Sequence, residues 1–141
     1  MKKFFLAALL LSWMPFFGQT DSQTRYNSDF RQFYMWNEER QTYELRDTEY
    51  EHSVIDIREI NARNNGYVAI SMTDDAKTRM YHGTITGFKK DDAETTWALR
   101  SKILKSKLVL NTKENTVTYS YEADQERQRY MKIFVFRLSD N

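Results

Sequence analysis

Apolar and polar residues alternate most cleanly between Ser53 and Thr73. Ser53-Val54-Ile55-Asp56-Ile57-Arg58-Glu59-Ile60 is rich in β-branched residues, and Tyr67-Val68-Ala69-Ile70-Ser71-Met72-Thr73 resumes the alternation after the polar cluster Asn61–Gly66. Period-two alternation predicts two strands with one buried face each. Asn65-Gly66 offers the positive-φ residues that a tight hairpin turn needs. A second reversal at Asp74-Asp75-Ala76 leads into Lys77–Phe88, and Asn111–Asn115 separates Lys107–Leu110 from Thr116–Tyr121. The polar run Glu122–Arg129 then precedes Tyr130–Leu138. Two segments fit either period. Phe30–Asn37 suits a helical turn or a strand buried on both faces, and strand is preferred. Ala93–Leu104 has Asp91 or Asp92 as a helix cap, but Thr95-Thr96-Trp97 favours strand, with one short helix as the alternative.

Sequential hairpins without long crossovers predict an all-β fold, an antiparallel meander of about eight strands forming a closed or partly open barrel. Its architecture is similar to that of lipocalin-like barrels. The similarity is one of architecture alone, because Trp36 follows Tyr34-Met35 and the Gly-x-Trp start is missing.

Aligning the first hairpin by its turn pairs Ile60 with Tyr67 and Ile57 with Ile70. Pairing Met72 with Thr78 across the next turn sets Met80 beside Ile70. One face then carries Ile55, Ile57, Val68, Ile70, Met72 and Met80; the other carries Asp56, Arg58, Ser71, Arg79 and Tyr81. A slip of one residue would invert the pattern.

The first twenty residues depart from this alternation. Met1-Lys2-Lys3 is positive, Phe4–Phe17 is apolar apart from Ser12 and Pro15, and Gly18-Gln19-Thr20 turns polar. This pattern predicts a secretory signal peptide spanning residues 1–18, cut after Gly18 or alternatively after Thr20. The run falls short of the roughly 20 apolar residues that span a bilayer, so no membrane span is expected after processing. Residues 19–29 are almost wholly polar and predict a flexible lead-in, followed by one β domain over 30–141. The chain has no cysteine, which closes the lipoprotein route and removes disulfides as a source of stability. The expected destination is therefore periplasmic or extracellular, without a lipid anchor.

Charge adds an exclusion. The whole chain is +1, and losing Lys2 and Lys3 leaves 19 basic against 20 acidic residues. Near neutrality gives no electrostatic reason to expect nucleic acid or an anionic membrane as partner.

Candidate chemistry is sparse. The turn-aligned register places Glu59 and His82 together on the apolar face, level with Val68. A histidine and a carboxylate in a pocket can bind a polar ligand group or transfer protons; a hydrogen-bonded histidine at the core rim is the simpler expectation. His52 is expected on the surface. Two isolated histidines and no cysteine predict no metal site, and no cofactor motif is present. Asp74-Asp75 and Asp91-Asp92 lack the alternating spacing that wraps calcium and fit turn chemistry. Asp56 and Arg79 suggest a cross-strand ion pair. Ser101, Ser106 and Ser120 lie outside any nucleophile elbow. Gly83 and Gly87, inside a strand pattern, predict a bulge or close backbone contact. The late aromatics Tyr119, Tyr121, Tyr130, Phe134 and Phe136 are expected to pack in the core.

These features favour a non-catalytic binding module for a small or apolar ligand. The alternative is an envelope or secreted structural domain that meets a protein partner through a sheet edge or face. An enzyme built on Glu59 and His82 is the least favoured reading.

Overall fold

The computed structural model describes residues 21–102 and 104–139. The expected signal peptide and its cut site lie outside the described residues. Among the described residues nine antiparallel strands form one sheet: β1 (Asp21–Asn37), β2 (Thr42–Glu49), β3 (Ser53–Ile60), β4 (Ala62–Asp74), β5 (Lys77–Asp91), β6 (Glu94–Ser101), β7 (Leu104–Asn111), β8 (Thr116–Asp124) and β9 (Arg129–Leu138). From β3 to β9 each strand pairs with the next, and β9 returns to β1, closing an eight-stranded barrel. The all-β meander expected from the alternation is therefore present, with closure rather than an open sheet. No helix forms among the described residues. Phe30–Asn37 is strand within β1, and in the second ambiguous segment residues 94–101 form β6 and Leu104 opens β7.

Closure runs through β1. Its first half, Asp21–Ser28, pairs with β3, and its second half, Ser28–Met35, pairs with β9. The register shifts between Ser28 and Phe30, where the Ser28 hydroxyl donates to the Phe30 carbonyl at 2.8 Å. One extra residue at Asp29 switches which alternate side chains face inward: Tyr26 and Ser28 before it, Arg31 and Phe33 after. Bulges of this kind bend a strand and re-aim its side chains. β2 pairs only with the second half of β1, lies outside the ring, and is the ninth strand. Residues 21–29 are thus strand rather than a flexible lead-in. Their polarity reflects mostly exposed side chains on a strand whose residues 21–28 pair with β3.

Two details of the expected register are corrected. The β3–β4 reversal occurs at Asn61 (φ 65°), so Ile57 faces Val68 and Ile55 faces Ile70. Arg63, Asn64 and Asn65 are accommodated as extra residues of β4, with the Asn65 amide donating to the Ile60 carbonyl at 2.9 Å. This two-residue slip preserves the faces of β3 and β4. Across the next turn, however, Met72 pairs with Arg79 rather than Thr78. That one-residue slip inverts β5: Arg79 and Tyr81 face inward, and Met80 is 62% exposed. The cause is a short turn, Asp75-Ala76, closed by Asp74 opposite Lys77. Asp56 consequently pairs with Arg25 (3.0 Å), not Arg79.

The core is a continuous cluster of inward side chains, including Ile55, Ile57, Val68, Ile70, Met72, Trp97, Leu108, Val117, Phe134 and Phe136. Gly83 lets β5 approach β6: an added Cβ would stand 3.0 Å from Leu99 Cβ. A register shift between Ile85 and Gly87 provides the expected bulge. Arg31 is the one fully buried cation among the described residues. It donates to Ser53 Oγ at 2.9 Å and the Thr73 carbonyl at 2.6 Å, and forms ion pairs with Glu49 and, at 3.5 Å, Glu51. It thereby ties β1, the β2–β3 link and the end of β4 together.

Candidate functional site

The β6–β7 hairpin is shorter than its neighbours, and that creates an opening in the wall. Its last pair is Ser101 with Leu104. On one side β5 begins at Lys77 but pairs with β6 only from Thr84 onward. On the other, β8 runs to Asp124, yet its pairs with β7 stop at Ser120. A notch is left between β5 and β8, and a cavity of about 300 Å³ opens there. Met80, Tyr81 and His82 line it from β5; Ser101, Leu104, Lys105 and Ser106 from the hairpin; Tyr119, Tyr121 and Glu122 from β8; and Lys132 from β9. Its volume is near the lower limit of small-molecule sites, and eight-stranded barrels have room for one small ligand.

The inner wall is aromatic. Tyr119 and Tyr121 stack with centroids 5.1 Å apart and planes 14° from parallel. Tyr121 is parallel to the buried Phe134 within 1°. Tyr81 leans against both tyrosines at about 50°. Burial pushes the Tyr119 phenol above its ordinary range, with the Ser106 hydroxyl bond opposing. Burial, then the Tyr81 hydroxyl bond and charge, push Tyr121 higher still; Glu122 adds to this and Arg79 opposes it. Both phenols therefore stay protonated and remain hydrogen-bond donors at neutral pH.

The mouth mixes apolar and charged groups. Met80 (62% exposed) and Leu104 (54%) form an exposed apolar lip. Lys132 bonds Glu122 at 2.8 Å, its Nζ 6.0 Å from the centre of the Tyr121 ring. Glu122 has φ 54° inside a strand, in the left-handed region that a non-glycine residue avoids.

The two residues singled out from sequence are not brought together. Glu59 faces the barrel interior near the opposite end, opposite Gly66, where it accepts from Trp97 Nε1 (3.3 Å) and Arg63 Nε (3.0 Å). His82 faces outward, opposite Ala69, and reaches only the rim of the cavity. Their shared placement depended on the β5 register that the Asp75-Ala76 turn shifts by one. His52 is exposed, with Nδ1 3.0 Å from Asp29. Among the described residues no three metal-type ligands gather; Asp74 meets Arg79 at 3.3 Å and Asp91 meets Lys89 at 3.4 Å.

Sequence reasoning missed Ser101, Ser106, Leu104, Lys132 and Glu122. The signal available was the hairpin's length, which can be read only after the register is known. Tyr119, Phe134 and Phe136 are core as expected and Tyr121 packs against it; the two tyrosines also line the cavity.

Searches of protein-family models, curated proteins and solved structures found no match to this chain.

Proposed function

We propose that the chain is an exported, non-catalytic binding protein that takes a small, largely apolar ligand into the barrel through the β5–β8 notch. The observation that carries the reading is the cavity: aromatic inside, apolar at the lip, with the hydroxyl-bearing Tyr81, Tyr119, Ser101 and Ser106 in its lining. Such a mix of apolar walls and few polar groups is the usual make-up of a small-molecule site. Export rests on the charged start, short apolar run and polar switch of residues 1–20. Periplasm or extracellular space is the destination that reading gives, and the missing cysteine argues against a lipid anchor. Glu59 and His82, the one acid–base pair suggested by the sequence, point to opposite faces, which weighs against catalysis.

Native mass spectrometry of the protein recovered from its exporting host tests both halves. The expected spectrum shows a chain beginning at Gln19 or Asp21, with a ligand mass that is lost in Ser101→Phe, where the ring fills the cavity. A chain retaining residues 1–18 would overturn export. A folded wild type that carries no ligand, and whose melting temperature no small apolar compound raises, would overturn binding.

A further inference from the structure

The preceding reading leaves the ligand's chemistry open, and the inner end of the notch carries information about it. β9 directs Phe134, Phe136 and Leu138 into the barrel, and the same alternation directs Lys132 inward, opposite Tyr121. An ammonium on an inner face loses hydration, a cost that an anionic partner offsets. Here the partner is Glu122, from the wrong side of the strand. Tyr119 and Tyr121 face inward, so Glu122 should face outward. Apart from Gly66 in β4, it is the one positive-φ residue inside a strand among the described residues; the others fall in turns or at the Asn61 reversal. It sits where β8 has lost its pairing with β7, and its carboxylate reaches Lys132 at 2.8 Å. Backbone strain of this kind collects at ligand clamps and switch regions. The other charged side chain at the cavity, Lys105, is exposed at its rim. With Lys132 it outnumbers the single carboxylate of Glu122 and biases the mouth toward anions.

We propose that the ligand is a carboxylate on a flat apolar body, and that Glu122 holds the head-group position on Lys132 until the ligand's carboxylate displaces it. This rests on the cavity being a ligand site. The flat body would lie against the nearly parallel Tyr119, Tyr121 and Phe134 rings, with Ser101 and Ser106 beside it. The ligand's carboxylate would take over the ammonium's hydrogen bonds, and the Glu122 side chain would swing out to water. The exchange conserves charge at Lys132 and releases the left-handed backbone.

Isothermal titration calorimetry of the mature chain with cinnamate and with its neutral amide, cinnamamide, tests this. Wild type should bind cinnamate about tenfold more tightly than the amide. Glu122→Gln should strengthen cinnamate binding severalfold and leave the amide unchanged. Lys132→Met should keep amide binding and abolish the preference, with circular dichroism verifying that each variant is folded. Equal affinity for both probes in wild type, or weaker cinnamate binding in Glu122→Gln, would overturn the head-group inference while leaving the cavity reading intact. Failure of both probes to bind any of the folded proteins would remove both.

Discussion

Arg31 shows how far one residue can act through its contacts. Its guanidinium is wholly buried, and its partners come from β2, the β2–β3 link, β3 and β4. Removing one partner of such a group leaves the others dehydrated and unpaired, which typically costs about 3–5 kcal/mol. Arg31→Met should therefore lower the stability measured by urea unfolding by about 3 kcal/mol, far more than Arg25→Met, whose ion pair with Asp56 is exposed. Alternation alone could not reveal Arg31, because an arginine between Phe30 and Gln32 looks like a surface position until the Asp29 bulge turns it inward. The cavity tyrosines make a second residue-scale prediction. Their phenols titrate higher in the folded chain than in the unfolded one, so the associated stability is complete below the unfolded pKa of about 10 and declines as pH rises toward the folded values. Thermal melts should fall from about pH 10 upward, and Tyr121→Phe should reduce that slope.

At the scale of elements, the turns explain what the sequence disclosed and what it hid. After residue 20 the chain has three glycines and no proline, yet three four-residue loops reverse it by one device. Asn37, Asn111 and Asp124 each accept two backbone N–H bonds from the loop they open, at 2.9 to 3.2 Å. Each loop ends on a left-handed residue: Gln41, Asn115 or Gln128. Side-chain oxygens thus fix the turn where glycine would otherwise be needed. Because a left-handed non-glycine residue is strained, Gln41→Gly and Gln128→Gly should each raise stability by about 0.5 kcal/mol after the added unfolded-state freedom is subtracted. An upward shift of the urea midpoint at unchanged slope would verify it. Gly66 is the opposite case: at φ 131°, an added Cβ would stand 1.9 Å from the Arg58 carbonyl, so Gly66→Ala should destabilise markedly. Strand identity was legible from β-branched alternation over Ser53–Phe88 and Lys107–Leu138, whereas Ala93–Leu104 fitted either period until its pairing with β5 and β7 was known. Register was not, because Asn65-Gly66 advertises a turn that Asn61 makes instead, and Asp74-Asp75-Ala76 permits two pairings of β5. The cavity inherits that difficulty, since it depends on where β6 and β7 stop relative to β5 and β8.

For the whole molecule, closure is the feature from which the rest follows. It encloses the aromatic core without any disulfide and leaves a notch between β5 and β8 that opens toward it. Gln32 and Val135 lie directly opposite each other across the β1–β9 pairing, at a separation antiparallel partners share with disulfides. In a chain with no cysteine, Gln32→Cys with Val135→Cys should form one unambiguous bond. Oxidised against reduced melts should show a gain of up to about 4 kcal/mol, because the linked loop is long. That same pairing also sets a timetable. Every other strand pairing in the ring joins strands adjacent along the chain, apart from the β1–β3 pairing, which skips only the short β2. The β1–β9 pairing instead joins residues on the order of a hundred positions apart. A chain emerging from the ribosome, or from a translocation pore, N-terminus first therefore presents the second half of β1 long before its partner exists. Until Lys132–Leu138 arrives, Phe33 and the inner faces of the finished hairpins have no lid. The interval between the first strand and the last is when this protein most needs an escort.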